Sequence, residues 1–250
     1  MFRKLVKHEF LASYRSYLPV YVAVIVFSII TPLTRQIKLS EVSTLLMSVL
    51  GLLMAALVFL TLYNIIISVG KRVYGKPGYL LFATPVSALQ IILSKVLVNV
   101  FWGFSSILIA ILAFSGFLLS ISLDGFIGFY QSIGTLFVFE NTFEIFSFLM
   151  LALFYMTYTI LLIMLTFAVT NALYKGEHKV IVGFVVYFVI SQITGILTSI
   201  FTVGPLFLFS GLGNTNAMNF IWYFTLIYFA LASIFFYLVY VSIEKKLELQ

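Results

Sequence analysis

From Val180 to Ile243 the sequence runs for 64 residues without a charge. As a single helix that run would be roughly 96 Å long, about three times the hydrocarbon thickness of a bilayer. It must fold back on itself. Gly204-Pro205 and the Gly211–Asn216 stretch (GLGNTN) are the strong breakers within it, and Gly and Pro are the residues that most often interrupt regular structure. The run therefore predicts two spans, 180–201 and 219–243. Four further uncharged runs, each near or above the roughly 20 residues that a spanning helix needs, give spans at 16–34, 42–70, 96–123 and 145–174. Six spans in one transmembrane domain are expected, an all-α polytopic membrane protein.

Composition agrees. The chain has 250 residues, 63% hydrophobic and 9% charged, where soluble domains are about 45–50% apolar and about 25% charged. The net charge of +6 does not point to nucleic acid, because the bases stand singly between apolar runs. It reads as topology. With an inside N-terminus, twelve of the fourteen Lys and Arg residues fall on the inner side, and Arg35 and Lys38 are the exceptions. The positive-inside rule then places both termini in the cytoplasm. Residues 1–15 carry Phe2, Leu5, Val6, Phe10 and Tyr14 at near-helical spacing, with Arg3, Lys4, Lys7 and Arg15 mostly opposite. This predicts an amphipathic helix at the inner interface ahead of the first span. A cleaved signal peptide is not expected there, since the charges are spread and no small-residue cleavage site follows a short apolar stretch.

Two outer segments depart from the usual solvated loop. Residues 125–143 are aromatic but interrupted by glycine, and 204–218 are similar. Both predict segments lying in or dipping into the outer interface, as aromatic anchors or as an exit gate.

The segment joining the second and third spans, residues 71–95, has the densest information. It carries Lys71, Arg72, Lys76 and Lys95 with no acid, a Gly75-Lys76-Pro77-Gly78 turn, then Thr84-Pro85-Val86-Ser87. It is basic, hence cytoplasmic, and too long for a minimal hairpin. Pro77 and Pro85 stiffen it, Gly75 and Gly78 permit a sharp turn, and Tyr74, Tyr79, Leu80 and Leu81 offer apolar contact. A cytoplasmic partner pushing on the helices would push here.

Catalytic chemistry is sparse. With no cysteine there is no disulfide framework or thiol nucleophile. His8 and His178 both fall outside the predicted spans, and no His-Glu-x-x-His or phosphate-binding Gly-x-x-x-x-Gly-Lys-[Ser/Thr] motif occurs. No catalytic or metal-binding residue is assigned. No ionisable residue falls in the predicted middle of a span, which disfavours ion-coupled pumps and intramembrane proteases. The polar groups left at depth are neutral. Tyr63, Asn64, Asn99, Tyr158 and Gln192 are candidates to line a cargo path, suited to an amphipathic or lipid-like molecule. Otherwise they join helices by hydrogen bonds.

Gly78-Tyr79-Leu80, Thr84-Pro85-Val86-Ser87, Gln90 and Ser94-Lys95 together resemble a segment in permease subunits of bacterial ABC exporters, the type-two, ABCG-like class of Gram-positive type. The motif covers about twenty residues, and the six-span layout agrees with it. Thr84 replaces a leucine-like residue, and Gly75-Lys76-Pro77 replace the acids that commonly precede Gly-Tyr. The resemblance implies a multi-pass permease of the bacterial plasma membrane. It would pair with a second permease chain, identical or related, above two copies of a cytoplasmic ATPase that bind the ATP and Mg²⁺. Lys71, Arg72, Tyr74, Gly75, Lys76, Pro77, Gly78, Tyr79, Leu80, Thr84 and Pro85 would form the ATPase-coupling element. The cargo would be a peptide, antimicrobial or hydrophobic drug. The alternatives are an ion-coupled secondary transporter or channel acting alone, and a membrane scaffold or lipid enzyme.

Overall fold

A computed structural model describes residues 2–37, 40–74, 87–136, 142–174, 176, 178–210 and 217–248. Among these lie seven α-helices. They are α1 (Phe2–Gln36), α2 (Ser40–Ile66), α3 (Ala88–Ile121), α4 (Leu123–Leu136), α5 (Thr142–Leu173), α6 (Lys179–Ser210) and α7 (Ala217–Glu248). A π turn, Ile67–Lys71, prolongs α2. All but α4 are long and apolar enough to cross a membrane. Their apolar side chains are widely exposed, with Leu52, Phe59 and Phe184 each more than 70% accessible. Soluble monomers rarely show apolar surface on this scale. The chain is a multi-pass membrane protein.

Three boundaries differ from expectation. The N-terminal segment is not a separate helix: α1 runs unbroken from Phe2 through Pro19 and Pro32 to Gln36. Arg3, Lys4, Lys7 and Arg15 are exposed, as the amphipathic reading required, but the buried stripe below Tyr17 consists of Glu9 and Ser13. The second difference is α6, which continues through Gly204-Pro205 to Ser210. Hydrocarbon offers no water to a released backbone group, so membrane helices tolerate proline that would break a soluble one. Residues 211–216, which the sequence marked as the second breaker, lie outside the described residues. Third, α3 begins at Ala88, inside the expected 71–95 loop. Lys95 is therefore helical.

The aromatic segment after α3 is also ordered. The Ser122 hydroxyl accepts the Gly125 N–H at 3.1 Å, an N-cap that starts α4. Asp124 in the first turn complements the helix dipole. Phe129 of α4 meets Phe114 of α3 edge to face at 5.2 Å.

The helices form two compact units. The first comprises residues 3–65 and 98–142, and the second 1–2, 66–97 and 143–250. In the first unit, Val24, Leu50, Leu57 and Ala113 form one buried cluster, and Tyr17, Val98 and Trp102 another. Tyr17 and Trp102 stack at 4.7 Å with ring planes 5° apart. Tyr21 hydrogen-bonds the Trp102 carbonyl at 3.2 Å and Ser106 Oγ at 2.7 Å, fixing α1 to α3. Further along, Ser28 Oγ donates to the Leu112 carbonyl at 2.9 Å. Pro32 supplies no N–H to the Ser28 carbonyl, and Gly116 packs against that carbonyl so closely that any Cβ would overlap it. Only glycine permits this approach.

The second unit is built on α5. Seven consecutive residues, Ile160–Thr166, are all buried, the mark of a helix surrounded on every side. α6 lies at the opposite extreme, with Val180, Phe184, Val185, Phe188, Ile196 and Ile200 exposed.

Candidate functional site

Two places in the second unit bring polar or aromatic side chains together in a way that packing alone does not demand. They are the roots of the 71–95 segment and a tyrosine cluster at mid-depth.

At the first root, the regular hydrogen bonding of α2 gives way to the π turn, where the Arg72 N–H reaches back to Ile67 O. Such insertions often mark functional positions. Gly70 faces the ring of Phe167 on α5, whose Cζ would lie 2.6 Å from an added Cβ. The Tyr74 ring lies near-parallel to the same Phe167 at 6.5 Å. Val69, one residue before Gly70, and Val73, one residue before Tyr74, are fully buried, and burial pushes the Tyr74 phenol above its ordinary pKa. At the second root Ala88, Ile91, Ile92 and Ser94 are buried. Both ends of the segment thus belong with α5–α7.

Of the expected coupling residues, Lys71 lies in the π turn, while Arg72 and Tyr74 follow it and are half-buried. Gly75, Lys76, Pro77, Gly78, Tyr79, Leu80, Thr84 and Pro85 lie outside the described residues.

Lys95 corrects the sequence reading in a second respect. Expected as a solvated loop base, it is 1% exposed, about two turns into α3. Glu9 is 4% exposed, about two turns into α1. Each is engaged within the structure. Periodicity hid both, because single charges beside apolar runs read as the ends of spans. These helices are longer than a span. The 35 residues of α1 reach about 52 Å against about 30 Å of hydrocarbon.

The candidate cargo-path residues are divided between the two units. In the first unit Asn64 and Asn99 are buried, Asn64 Nδ2 donating to its own helix at Leu60 O, 3.1 Å away. Tyr63 beside it is exposed. In the second unit Gln192 is exposed, while Tyr158 is partly buried and donates to Thr194 Oγ1 at 2.9 Å. Tyr158 is also within 6.4 Å of Tyr155 and 5.5 Å of Tyr228, ring centre to ring centre. Tyr155 meets Tyr228 at 5.1 Å. The sequence reading missed Tyr228. Its signal was faint, a tyrosine seven residues before Phe235 on one helical face.

In the first unit a groove of about 370 Å³ runs between α1, α3 and α4, lined by Ile25, Ser28, Ile29, Leu112, Leu119 and Phe126 among others. Ser28 and Ser115 both donate to Leu112 O, so its hydroxyls are already satisfied. No cluster of three His, Asp or Glu side chains able to hold a metal occurs among the described residues.

No model of a known protein family matches the chain, nor does any curated protein or solved structure.

Proposed function

We propose that this multi-pass membrane protein is the permease subunit of an ATP-driven ABC exporter in a bacterial plasma membrane. It would move an amphipathic or hydrophobic cargo, such as a peptide, antimicrobial or drug, out of the cell or out of the bilayer. The energy would come from a separate cytoplasmic ATPase, two copies of which carry the ATP and Mg²⁺ beneath a pair of permease chains.

The observation that carries the reading is how the 71–95 segment is rooted. Gly70 and Tyr74 bear on Phe167 of the most enclosed helix in the second unit. A push delivered to the segment would reach α5 through packed rings, which transmit displacement because tightly packed interiors compress little. The resemblance of residues 78–95 to a permease segment supplies the partner class.

One observation favours the ion-coupled alternative. Buried Glu9 and Lys95 are the kind of ionisable group that marks ion pathways in membranes. Both sit near the start of helices that outreach the bilayer, which suits an interfacial anchor better than a relay at the midplane.

The deciding experiment is co-expression of the tagged chain with the ATPase encoded beside it, followed by extraction in mild detergent. An equimolar ATPase that is lost on Tyr74→Ala with Pro85→Ala is expected. A chain that purifies alone, and moves solute in vesicles under an ion gradient without ATP, would overturn the reading.

A further inference from the structure

Midway along α5 and α7, three tyrosines meet. Tyr155 and Tyr228 are edge to face at 80°, and Tyr158 is tilted against both. Tyr158 is held in place on two sides, by its hydrogen bond to Thr194 midway along α6 and by stacking on Phe235 at 5.6 Å. Tyr155 is different. Half its surface is exposed, and neither its hydroxyl nor that of Tyr228 makes a hydrogen bond among the described residues.

We propose that the open face formed by Tyr155, Tyr158 and Tyr228 binds the cationic group of an amphipathic molecule. Calling that molecule the cargo rests on the exporter reading; the binding itself does not.

Three arguments lead there. The first is chemical. An aromatic face attracts a cation within about 6 Å of the ring centre, the more so where water is excluded. Three rings with centres 5.1–6.4 Å apart offer several faces or hydroxyl oxygens to one group. The second is electrostatic. From Ile145 to Tyr174 on α5, and from Val180 to Ile243 through α6 and α7, there is no carboxylate. From these stretches a cation meets no carboxylate, only neutral groups such as π surface and phenol oxygens. A carboxylate here would be costly to bury, whereas aromatic rings hold a cation without burying a negative charge. The third is compositional. Phenylalanine outnumbers tyrosine 28 to 15 in this chain, and Phe154 and Phe229 pack edge to face at 5.1 Å beside the cluster. Phenylalanine would therefore serve packing at these positions too. Tyrosines that leave hydroxyls unpaired in hydrocarbon are unfavourable unless something else engages them.

The test uses the full chain in nanodiscs without any ATPase. Radiolabelled tetraphenylphosphonium is the probe. Tetraphenylborate, of the same shape and opposite charge, is measured in separate samples. Saturable binding of the phosphonium above that of protein-free nanodiscs is expected, with none for the borate. Tyr155→Leu and Tyr228→Leu should each weaken it about tenfold, while Tyr155→Phe should weaken it only about two- to threefold, because the ring supplies most of the attraction and the hydroxyl the smaller share. Should a leucine variant fail to fold, increasingly fluorinated phenylalanines at position 155 decide the matter. They keep the shape and drain the ring's negative face, so affinity should fall stepwise.

Equal binding of both ions, no saturable binding, or indifference to fluorination overturns the proposal. So does a disulfide-linked dimer through Tyr155→Cys, clean in a chain with no cysteine, if the wild type binds no phosphonium. A second copy would then own this face. Phosphonium binding by a chain that never co-purifies with an ATPase would sink the exporter reading and leave this site standing. Stoichiometric ATPase without phosphonium binding would do the reverse.

Discussion

In the first unit Trp102 is 5% exposed and stacked on Tyr17, with Phe10 5.0 Å away and Phe101 edge-on at 5.6 Å. In the second, Tyr155 is 50% exposed beside Tyr228 and Tyr158. Both are aromatic clusters between membrane helices, and both are tied to a neighbouring helix by a tyrosine hydroxyl. The first cluster is closed around its largest ring. The second leaves its outermost ring uncovered. Lipid tails are as apolar as leucine, so hydrophobicity drives neither assembly, and packing with hydrogen bonds must do so. A closed cluster is therefore read as a fastening between helices, an open one as a surface with something still to contact.

The largest test of that contrast is truncation. Trp102→Ala should destabilise the protein by about 3–5 kcal/mol, read as a large fall in thermal stability in detergent. Tyr155→Ala, which removes a ring already half exposed, should cost far less. Equal losses would mean that the tyrosine cluster is as much a fastening as the tryptophan. Trp102→Phe sharpens the point. The indole Nε1 is buried without a hydrogen-bond partner, so this change gives up area and stacking but no hydrogen bond.

Next comes overpacking. Gly116→Ala puts a methyl where Ser28 Oγ and its carbonyl already sit. Backbone cannot yield as a side chain does, so a cost of about 1–3 kcal/mol is expected. Gly70→Ala meets only the ring of Phe167, which can rotate away, and should cost less in stability. If the exporter reading holds, its effect should appear instead in coupling, as ATP hydrolysis without export when the chain is assembled with the proposed ATPase. Both variants lie against another helix, but one is braced by backbone and the other by a ring.

The fold was legible in the sequence where charge spacing decided it. Five uncharged runs, the longest split in two, became six spanning helices, because hydrocarbon leaves the backbone no choice but to satisfy itself. Breaks inside those runs were less legible. Gly204-Pro205 read as a break and proved internal to α6, since soluble rules for proline overstate its effect in lipid. Lys95 was misread for a related reason: a base at the edge of an apolar run looks like a loop residue unless the helix continues past the bilayer. The site was legible only as residue types. Tyr158 could be picked out as a polar group at depth, but its meeting with Tyr228, 70 positions away, depends on how α5 and α7 pack. No local period encodes that.

The smallest expected effect bears most directly on what the second cluster is for. Tyr158→Phe removes the hydrogen bond to Thr194. Such interhelical bonds in membranes average about 0.6 kcal/mol, so stability should fall only slightly. Thr194→Val should cost a similar amount, because the Thr194 hydroxyl also bonds back to Ile190 O and Ser191 O and loses little in the native helix that it does not also lose elsewhere. The double variant should cost less than the two singles added, since the shared bond can be lost only once. If the cycle instead shows no coupling, Tyr158 is not positioned by Thr194, and its ring is free to turn. The tyrosine face would then adapt to its occupant and not present a fixed geometry. If the coupling is present while phosphonium binding falls in both single variants, the hydrogen bond is what holds the third ring in place for the cation.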